Sequence, residues 1–209
     1  ARSAGADVAL LISPYYNKPT QAGLLYHFQT IARQVDIPQV PYNIQSRTGV
    51  NINVETVVEL AREKNIIGIK EASGNLTQIS EIARLTPPDF HVWSGDDGLT
   101  LPILAVGGRG VISVSANVVP REVRAMVHAY LQGDTKEALR LHRHLAGINQ
   151  VLFVETNPIP VKTAVNWLSR SPETGLPYCG DLRPPLVPMA RANEDKLKAV
   201  LAGLGLPVV

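Results

Sequence analysis

The stretch "IIGIKEASGN", residues 66–75, is the part of the sequence that decides the fold class. Its isoleucines form a short continuous apolar run, which is typical of a parallel strand that is covered on both faces. A lysine, Lys70, ends this run. Side chains alternate along a strand, and an ammonium group on a buried face is costly to desolvate. Lys70 is therefore the first residue for which we expect a chemical role.

Four further apolar runs of this kind lie along the chain. They are residues 7–13, 37–43, 90–95 and 110–116. Amphipathic segments separate the runs, and Thr20 and Asn53 are placed to cap two of the predicted helices. Five strands that alternate with five helices predict an α/β fold with a parallel sheet. An open doubly wound sheet and a (β/α)8 TIM barrel both fit this pattern.

After Gly133 the pattern changes from alternating strands and helices to helices alone. We predict a partial TIM-barrel domain over residues 1–133 and a C-terminal helical region over residues 134–209. A βαβ unit takes about 30 residues, so a barrel with five units here lacks three, or about 90 residues. We expect the natural protein to carry that N-terminal part before Ala1.

Composition and charge exclude several classes of function. The 20 basic and 18 acidic residues are interspersed, so we expect neither nucleic acid nor a membrane as a partner. The one cysteine, Cys179, cannot form an internal disulfide, which favours the cytoplasm. No set of side chains has metal-ligand spacing, and the glycines of "GGRGV" precede a strand instead of opening a helix. We therefore predict no metal and no cofactor.

Catalytic groups in parallel α/β folds lie at the carboxyl ends of the strands. Lys70 ends its strand, and burial would lower its pKa and leave a neutral amine that attacks a ketone to form a Schiff base. The alternative is a structural ion pair of Lys70 with Asp96 or Glu71. Both interpretations are open at this point.

Tyr42 and Arg47 follow the second predicted strand. A phenol beside the lysine would carry protons, whereas the alternative is a packed tyrosine whose hydroxyl bonds a backbone group. A guanidinium in the polar segment "NIQSRTG" would grip a substrate carboxylate with two hydrogen bonds. The alternative for Arg47 is a solvated loop arginine.

Six motifs together resemble those of the dihydrodipicolinate synthases, a family of class I aldolases related to N-acetylneuraminate lyase. They are "SPYYNKPTQ", "PYN…SRTG", "NIIGIKEASGN", "SGDD", "GGRGVISV" and "NPIPVK". The resemblance implies a (β/α)8 barrel with a C-terminal helical region. It also implies a lyase of lysine and diaminopimelate biosynthesis, which condenses pyruvate with L-aspartate 4-semialdehyde to give 4-hydroxy-tetrahydrodipicolinate.

The resemblance assigns catalytic roles to three residues. It implies that Lys70 forms the Schiff base and that Tyr42 donates and accepts protons. The second tyrosine of "PYYN", here Tyr16, completes the proton relay in the site of the neighbouring subunit. The resemblance therefore also implies self-association, as a homodimer or a homotetramer.

Four further positions match the family's substrate and inhibitor contacts. Arg47 matches the residue that binds the carboxylate of the aldehyde substrate, and Ile112 matches a contact of bound pyruvate. The backbone around Gly95 matches a position near the same pocket. Tyr15 matches a residue that lines the lysine-inhibitor site of feedback-regulated members.

Two alternatives accompany this interpretation. The first is a sister pyruvate aldolase such as N-acetylneuraminate lyase, although sialate lyases usually lack an arginine at the position of Arg47. The second is an inactive fragment of the synthase. The family's "GTTGE" segment, whose threonines bind the pyruvate carboxylate, is not in these 209 residues. Five of eight barrel strands would also leave two unpaired edges.

Overall fold

The computed structural model describes residues 1–207. The chain divides into two compact units, Ala1–Ile112 and Ser113–Val209. The predicted boundary between residues 133 and 134 lies within the second unit and stays a prediction. The last two residues of the predicted C-terminal region, 208 and 209, lie outside the described residues.

The first unit contains a parallel sheet whose strands follow one another in chain order. The strands are β1 (Ala9–Ile12), β2 (Gln39–Asn43), β3 (Gly68–Glu71), β4 (His91–Ser94) and β5 (Gly110–Val111). A doubly wound sheet reverses its strand order at a switch point, and no reversal occurs in this sheet. The sequential order is therefore that of consecutive units of a barrel, with β1 and β5 at the two edges.

Helices cover one face of this sheet. They are α1 (Gln21–Gln34), α3 (Val54–Leu60), α4 (Leu76–Leu85) and α5 (Thr100–Ala105), while the short helix α2 (Gln45–Thr48) lies between β2 and α3 along the chain. A hydrophobic core cluster lies on this face, where Ile69 and Val92 of the strands pack with residues such as Phe28 of α1. On the other face, the side chains of Leu10 and Ile12 are 46% and 41% exposed. The expectation that both faces are covered is therefore wrong for β1.

The register of the sheet brings the predicted catalytic residues together. Tyr42 is directly opposite Lys70, and Lys70 is opposite Trp93 on the next strand. Residues opposite one another in parallel strands point to the same face. Tyr42 and Lys70 therefore lie side by side on the face of the sheet that bears Leu10 and Ile12.

Local structure departs from the sequence prediction at three places. The fifth strand, predicted over residues 110–116, ends at Val111, and Ser115–Asn117 forms a 3₁₀ turn. The segment around Arg47, predicted as a loop, contains α2, which ends at Thr48 and is followed by Gly49 with a positive φ of 77°. Thr20 accepts the capping bond from the Gly23 amide as predicted, whereas Asn53 precedes α3 without a side-chain capping bond.

The second unit contains four longer helices. They are α6 (Pro120–Leu131), α7 (Thr135–Val151), α8 (Ile159–Leu168) and α9 (Arg191–Gly203). Asp134 caps α7 by accepting a bond from the Glu137 amide at 3.0 Å, while the Glu137 carboxylate pairs with Arg140. None of the helices in residues 1–207 is long and apolar enough to span a membrane.

Gly68 is required by the close approach of β3 and β4. A Cβ at this position would lie 2.1 Å from the His91 carbonyl oxygen and 2.6 Å from Cζ3 of Trp93. We expect Gly68→Ala to lower the free energy of unfolding by about 3 kcal/mol or more, because the clash is with backbone. Denaturant unfolding measures this loss.

Gly147 in the interior of α7 provides the control. The nearest atom to its added Cβ would be Cγ1 of Val200 at 3.7 Å, an ordinary contact. Gly147→Ala should therefore stabilise the protein by up to about 1 kcal/mol, the difference in helix propensity. A Gly68→Ala protein as stable as the wild type would contradict the packing described here.

Candidate active site

The predicted site residues of the first unit lie at the carboxyl edge of the sheet. Tyr42 and Lys70 are the penultimate residues of β2 and β3. Gly95 directly follows β4, and Ile112 directly follows β5. The backbone amide of Ile112 donates to the Ser94 carbonyl oxygen at 2.9 Å, which continues the pairing of β4 with β5. The parallel sheet thus gathers residues that are up to 70 positions apart (from Tyr42 to Ile112) along one edge.

Lys70 is buried beside an aromatic ring. Its side chain is 9% exposed, and Nζ lies 4.1 Å from the centroid of the Tyr42 ring. Burial lowers the pKa of the Lys70 amine, while the nearby Asp97 carboxylate acts in the opposite direction. A lysine with a lowered pKa is neutral, and therefore nucleophilic, in a larger fraction of molecules at neutral pH.

The structural ion pair that the sequence left open is not formed in the described part of the chain. Lys70 is not within ion-pair distance of Asp96 or Glu71. The Glu71 carboxylate instead accepts hydrogen bonds from Asn43, Ser73 and Gln78. The acidic residue that acts on Lys70 is Asp97, which is buried.

Tyr42 is half-buried, and its ring contacts the lysine. Burial raises the pKa of the Tyr42 phenol, the Arg47 guanidinium lowers it, and Asp96 raises it. The phenol therefore stands beside the amine as a protonated group that can exchange a proton with a bound substrate.

Arg47 lies on α2 and is exposed. Thr48 fixes this short helix, since its hydroxyl donates to the carbonyl oxygens of Ile44 and Val50, both at 3.0 Å. The turn at Gly49 is covered by Lys18, because a Cβ on Gly49 would lie 2.8 Å from Cε of Lys18. The guanidinium is therefore carried by a defined turn near Tyr42, and not by a free loop.

Tyr15 and Tyr16 follow β1 and are both exposed. The Tyr16 side chain is 89% exposed, and its backbone has a φ of 70°. Positive φ is uncommon for residues other than glycine and is strained for a bulky side chain. In this chain Tyr16 projects into solvent and does not contribute to the Lys70 site.

Buried polar residues next to the predicted pair were not assigned a function from the sequence. Asn43 and Glu71, which follow Tyr42 and Lys70, are fully buried and bonded to each other. Their strand-end positions were a usable signal, but their pairing across strands was not visible in the sequence. The described residues contain no group of three or more histidine, cysteine or acidic side chains arranged to hold a metal ion.

Comparisons with known proteins show which family the chain resembles. Residues 1–204 match the model of the "Dihydrodipicolinate synthetase family". The 4-hydroxy-tetrahydrodipicolinate synthase of Methanosarcina mazei is 52% identical over 207 residues, which are 99% of this chain and 69% of that protein. The chain thus spans about 69% of the length of this relative.

Solved structures of dihydrodipicolinate synthases superimpose on this chain. The dihydrodipicolinate synthase of Aquifex aeolicus superimposes with a TM-score of 0.92 at 48% identity, over 99% of this chain and 69% of that one. The Acinetobacter baumannii enzyme, solved in complex with pyruvate, has a TM-score of 0.89 at 37% identity, over 99% of this chain and 68% of that one. The five βα units described above are thus part of a TIM-barrel fold, as predicted.

Gly95 leaves room for the lysine. A Cβ at Gly95 would lie 3.0 Å from Cε of Lys70 and 2.9 Å from Cβ of Ala72. We expect Gly95→Ala to displace the Lys70 side chain and to slow Schiff-base formation with pyruvate by on the order of 10²-fold, as for an ångström-scale misplacement. Stopped-flow measurement of imine formation tests this.

Gly98 is the control for Gly95. Its added Cβ would meet only a side-chain oxygen of Asp96 at 3.3 Å, away from Lys70. Gly98→Ala should retain the wild-type rate of imine formation. Equal rates for the Gly95→Ala variant and the wild type would show that Lys70 does not need this space.

Proposed function

The chain belongs to the dihydrodipicolinate synthetase family, and we propose that it forms 4-hydroxy-tetrahydrodipicolinate from pyruvate and L-aspartate 4-semialdehyde through a Schiff base on Lys70. One observation carries the assignment of residues. The buried Lys70 amine lies 4.1 Å from the ring centroid of Tyr42, at the carboxyl edge of a parallel sheet. The amine is the nucleophile of imine chemistry, and a tyrosine beside it is suited to carry protons.

In the proposed reaction, the neutral amine of Lys70 attacks the ketone carbon of pyruvate. Loss of water gives a protonated imine, and removal of a proton from the methyl group gives an enamine. The enamine carbon then attacks the aldehyde of the second substrate, and the amino group of that substrate attacks the imine carbon, which closes the ring and releases the Lys70 amine. Tyr42 transfers the protons of these steps, for which its place beside Nζ and its protonated state at neutral pH are suitable.

Arg47 supports the choice of the second substrate. Its guanidinium acts electrostatically on Tyr42, so a carboxylate bound by Arg47 would lie close to the reacting groups. Bidentate binding of a carboxylate is the recognition for which arginine is suited. Aspartate semialdehyde supplies a carboxylate, and this favours it over the sugar aldehyde of the sialate lyases. In the same proposal, Ile112 and the Gly95 backbone contact pyruvate.

Tyr16 supports self-association as part of the proposed function. An 89% exposed aromatic side chain with positive φ is the kind of strained, projecting group that a partner subunit would receive. We place Tyr16 in the site of a neighbouring copy, within a homodimer or homotetramer. Tyr15, also exposed, would line a lysine-inhibitor site.

The proposed enzyme needs no cofactor, because the amine of Lys70 supplies the electron sink as an imine. Its single cysteine, Cys179, is exposed and free, which fits a reducing compartment, and we place the protein in the cytoplasm. Within the described residues no helix could span a membrane.

Borohydride trapping tests the proposed nucleophile. Reduction of the natural full-length protein in the presence of pyruvate should add the reduced adduct to the peptide that contains Lys70, because borohydride reduces the imine to a stable amine. Peptide mass spectrometry locates the label. The Lys70→Arg variant, which keeps the charge, should take up no label.

A label on Lys162, or no label at all, would contradict the assignment.

Substrate competition distinguishes the two aldolase classes. In the absence of borohydride, the enamine formed from pyruvate should turn over with aspartate semialdehyde and not with N-acetylmannosamine, and the reverse preference would favour the sialate-lyase alternative.

A further inference from the structure

Glu71 is a buried carboxylate next to the proposed nucleophile. It is the last residue of β3, it is 0% exposed, and it lies directly opposite Asn43 of β2. Successive strand side chains point to opposite faces, so Glu71 lies on the face opposite Lys70. The pair of Asn43 and Glu71 thus repeats the pair of Tyr42 and Lys70, one residue further along the strands and on the other side of the sheet.

Four donors converge on the Glu71 carboxylate. Oε1 accepts from Asn43 Nδ2 and, at 3.3 Å, from Gln78 Nε2. Oε2 accepts from the Ser73 backbone amide at 3.2 Å and from the Ser73 hydroxyl at 2.6 Å. An ionised carboxylate accepts without donating, so it suits a position surrounded by donors. Burial raises the pKa of the Glu71 carboxyl, and these hydrogen bonds act in the opposite direction.

The orientation of Asn43 is fixed by the backbone. Its Oδ1 accepts from the Ile52 amide at 3.0 Å, so its Nδ2 must face Glu71 and the side-chain oxygen of Asn51, at 2.8 Å. Gln78 Nε2 also donates to the Ile52 carbonyl oxygen at 3.3 Å. The segment from Asn43 to Ile52 carries Arg47. Asn43 bonds Glu71 directly, and Ile52 is linked to Glu71 through the side chains of Asn43 and Gln78.

We propose that Glu71 is a positioning residue of this reaction, whose carboxylate joins the ends of β2 and β3 and the segment through Ile52, and so holds Lys70 against Tyr42. The inference rests on the proposed function of Lys70. Glu71 does not touch the substrate side of the sheet, so its effect is on geometry. Loss of its hydrogen bonds would let the ends of β2 and β3 separate where Tyr42 and Lys70 meet.

Glu71→Gln tests the role with little change in volume. The new amide nitrogen must face either Nδ2 of Asn43 or the backbone amide of Ser73, because neither of these donors can turn away. We expect kcat/KM for aspartate semialdehyde to fall by on the order of 10²-fold at temperatures far below Tm. The crystal structure of the variant should show Lys70 Nζ further from the Tyr42 ring than 4.1 Å.

Gln39→Met is the matched control. Gln39 is the buried polar residue at the other end of β2, where its amide donates to the carbonyl oxygens of Ile31 and Val35. Gln39→Met and Glu71→Gln should lower Tm to a similar extent. For Gln39→Met, however, kcat/KM should stay within about twofold of the wild type. A comparable fall in kcat/KM for Gln39→Met would show that Glu71 acts through stability alone.

The proposed function of Lys70 and the positioning role of Glu71 can be contradicted independently. A wild-type protein that forms no pyruvate adduct would overturn the proposed function. A Glu71→Gln structure with an unchanged distance from Nζ to the Tyr42 ring, or a variant with wild-type kcat/KM, would overturn the positioning role by itself.

Discussion

The contact between the Lys70 amine and the Tyr42 ring is the interaction on which the site depends. A lysine ammonium is strongly hydrated, and its removal from water is unfavourable unless other groups replace the hydration. Here an aromatic face at 4.1 Å and the carboxylate of Asp97 replace part of it. The replacement is incomplete, so the pKa of the amine is lowered. Burial of the Lys70 side chain therefore disfavours its charged form in the folded protein, and for the same reason it makes the amine more reactive.

The surrounding sheet is built to allow this contact. Gly68 lets β3 and β4 approach closely, and Gly95 leaves space for the Lys70 methylene chain. Helices cover the opposite face of the sheet and bury Ile69. Apolar packing on that face therefore holds β3, the strand that bears Lys70, in place. Strain and desolvation at a functional site persist only where the surrounding structure holds them in place. The core on the helical face provides that support.

Much of the fold could be predicted from the sequence, because apolar runs and helical spacing are local signals. The apolar run in residues 65–72 predicted a strand, of which residues 68–71 form β3, and the position of Lys70 near its end indicated the candidate site. The bond between Asn43 and Glu71 joins residues 28 positions apart, and its formation depends on strand register. Register is a property of the folded sheet, so the sequence alone showed two polar residues and not their connection.

The short elements were the least predictable for a related reason. The fifth strand ends at Val111 because the following residues turn into a 3₁₀ segment, although their composition favours a strand. The helix around Arg47 is only four residues long and is held by the Thr48 hydroxyl and a left-handed glycine. Tertiary contacts override propensity most easily in segments of this length.

The most direct measurement is the pKa of the Lys70 amine in the natural full-length protein. NMR titration of isotopically labelled lysine, with Lys70→Arg to assign the signal, provides it. Burial beside Tyr42 predicts a pKa below the ordinary value of 10.5. A pKa at or above 10.5 would show a solvated or ion-paired lysine and would contradict the central role of its burial.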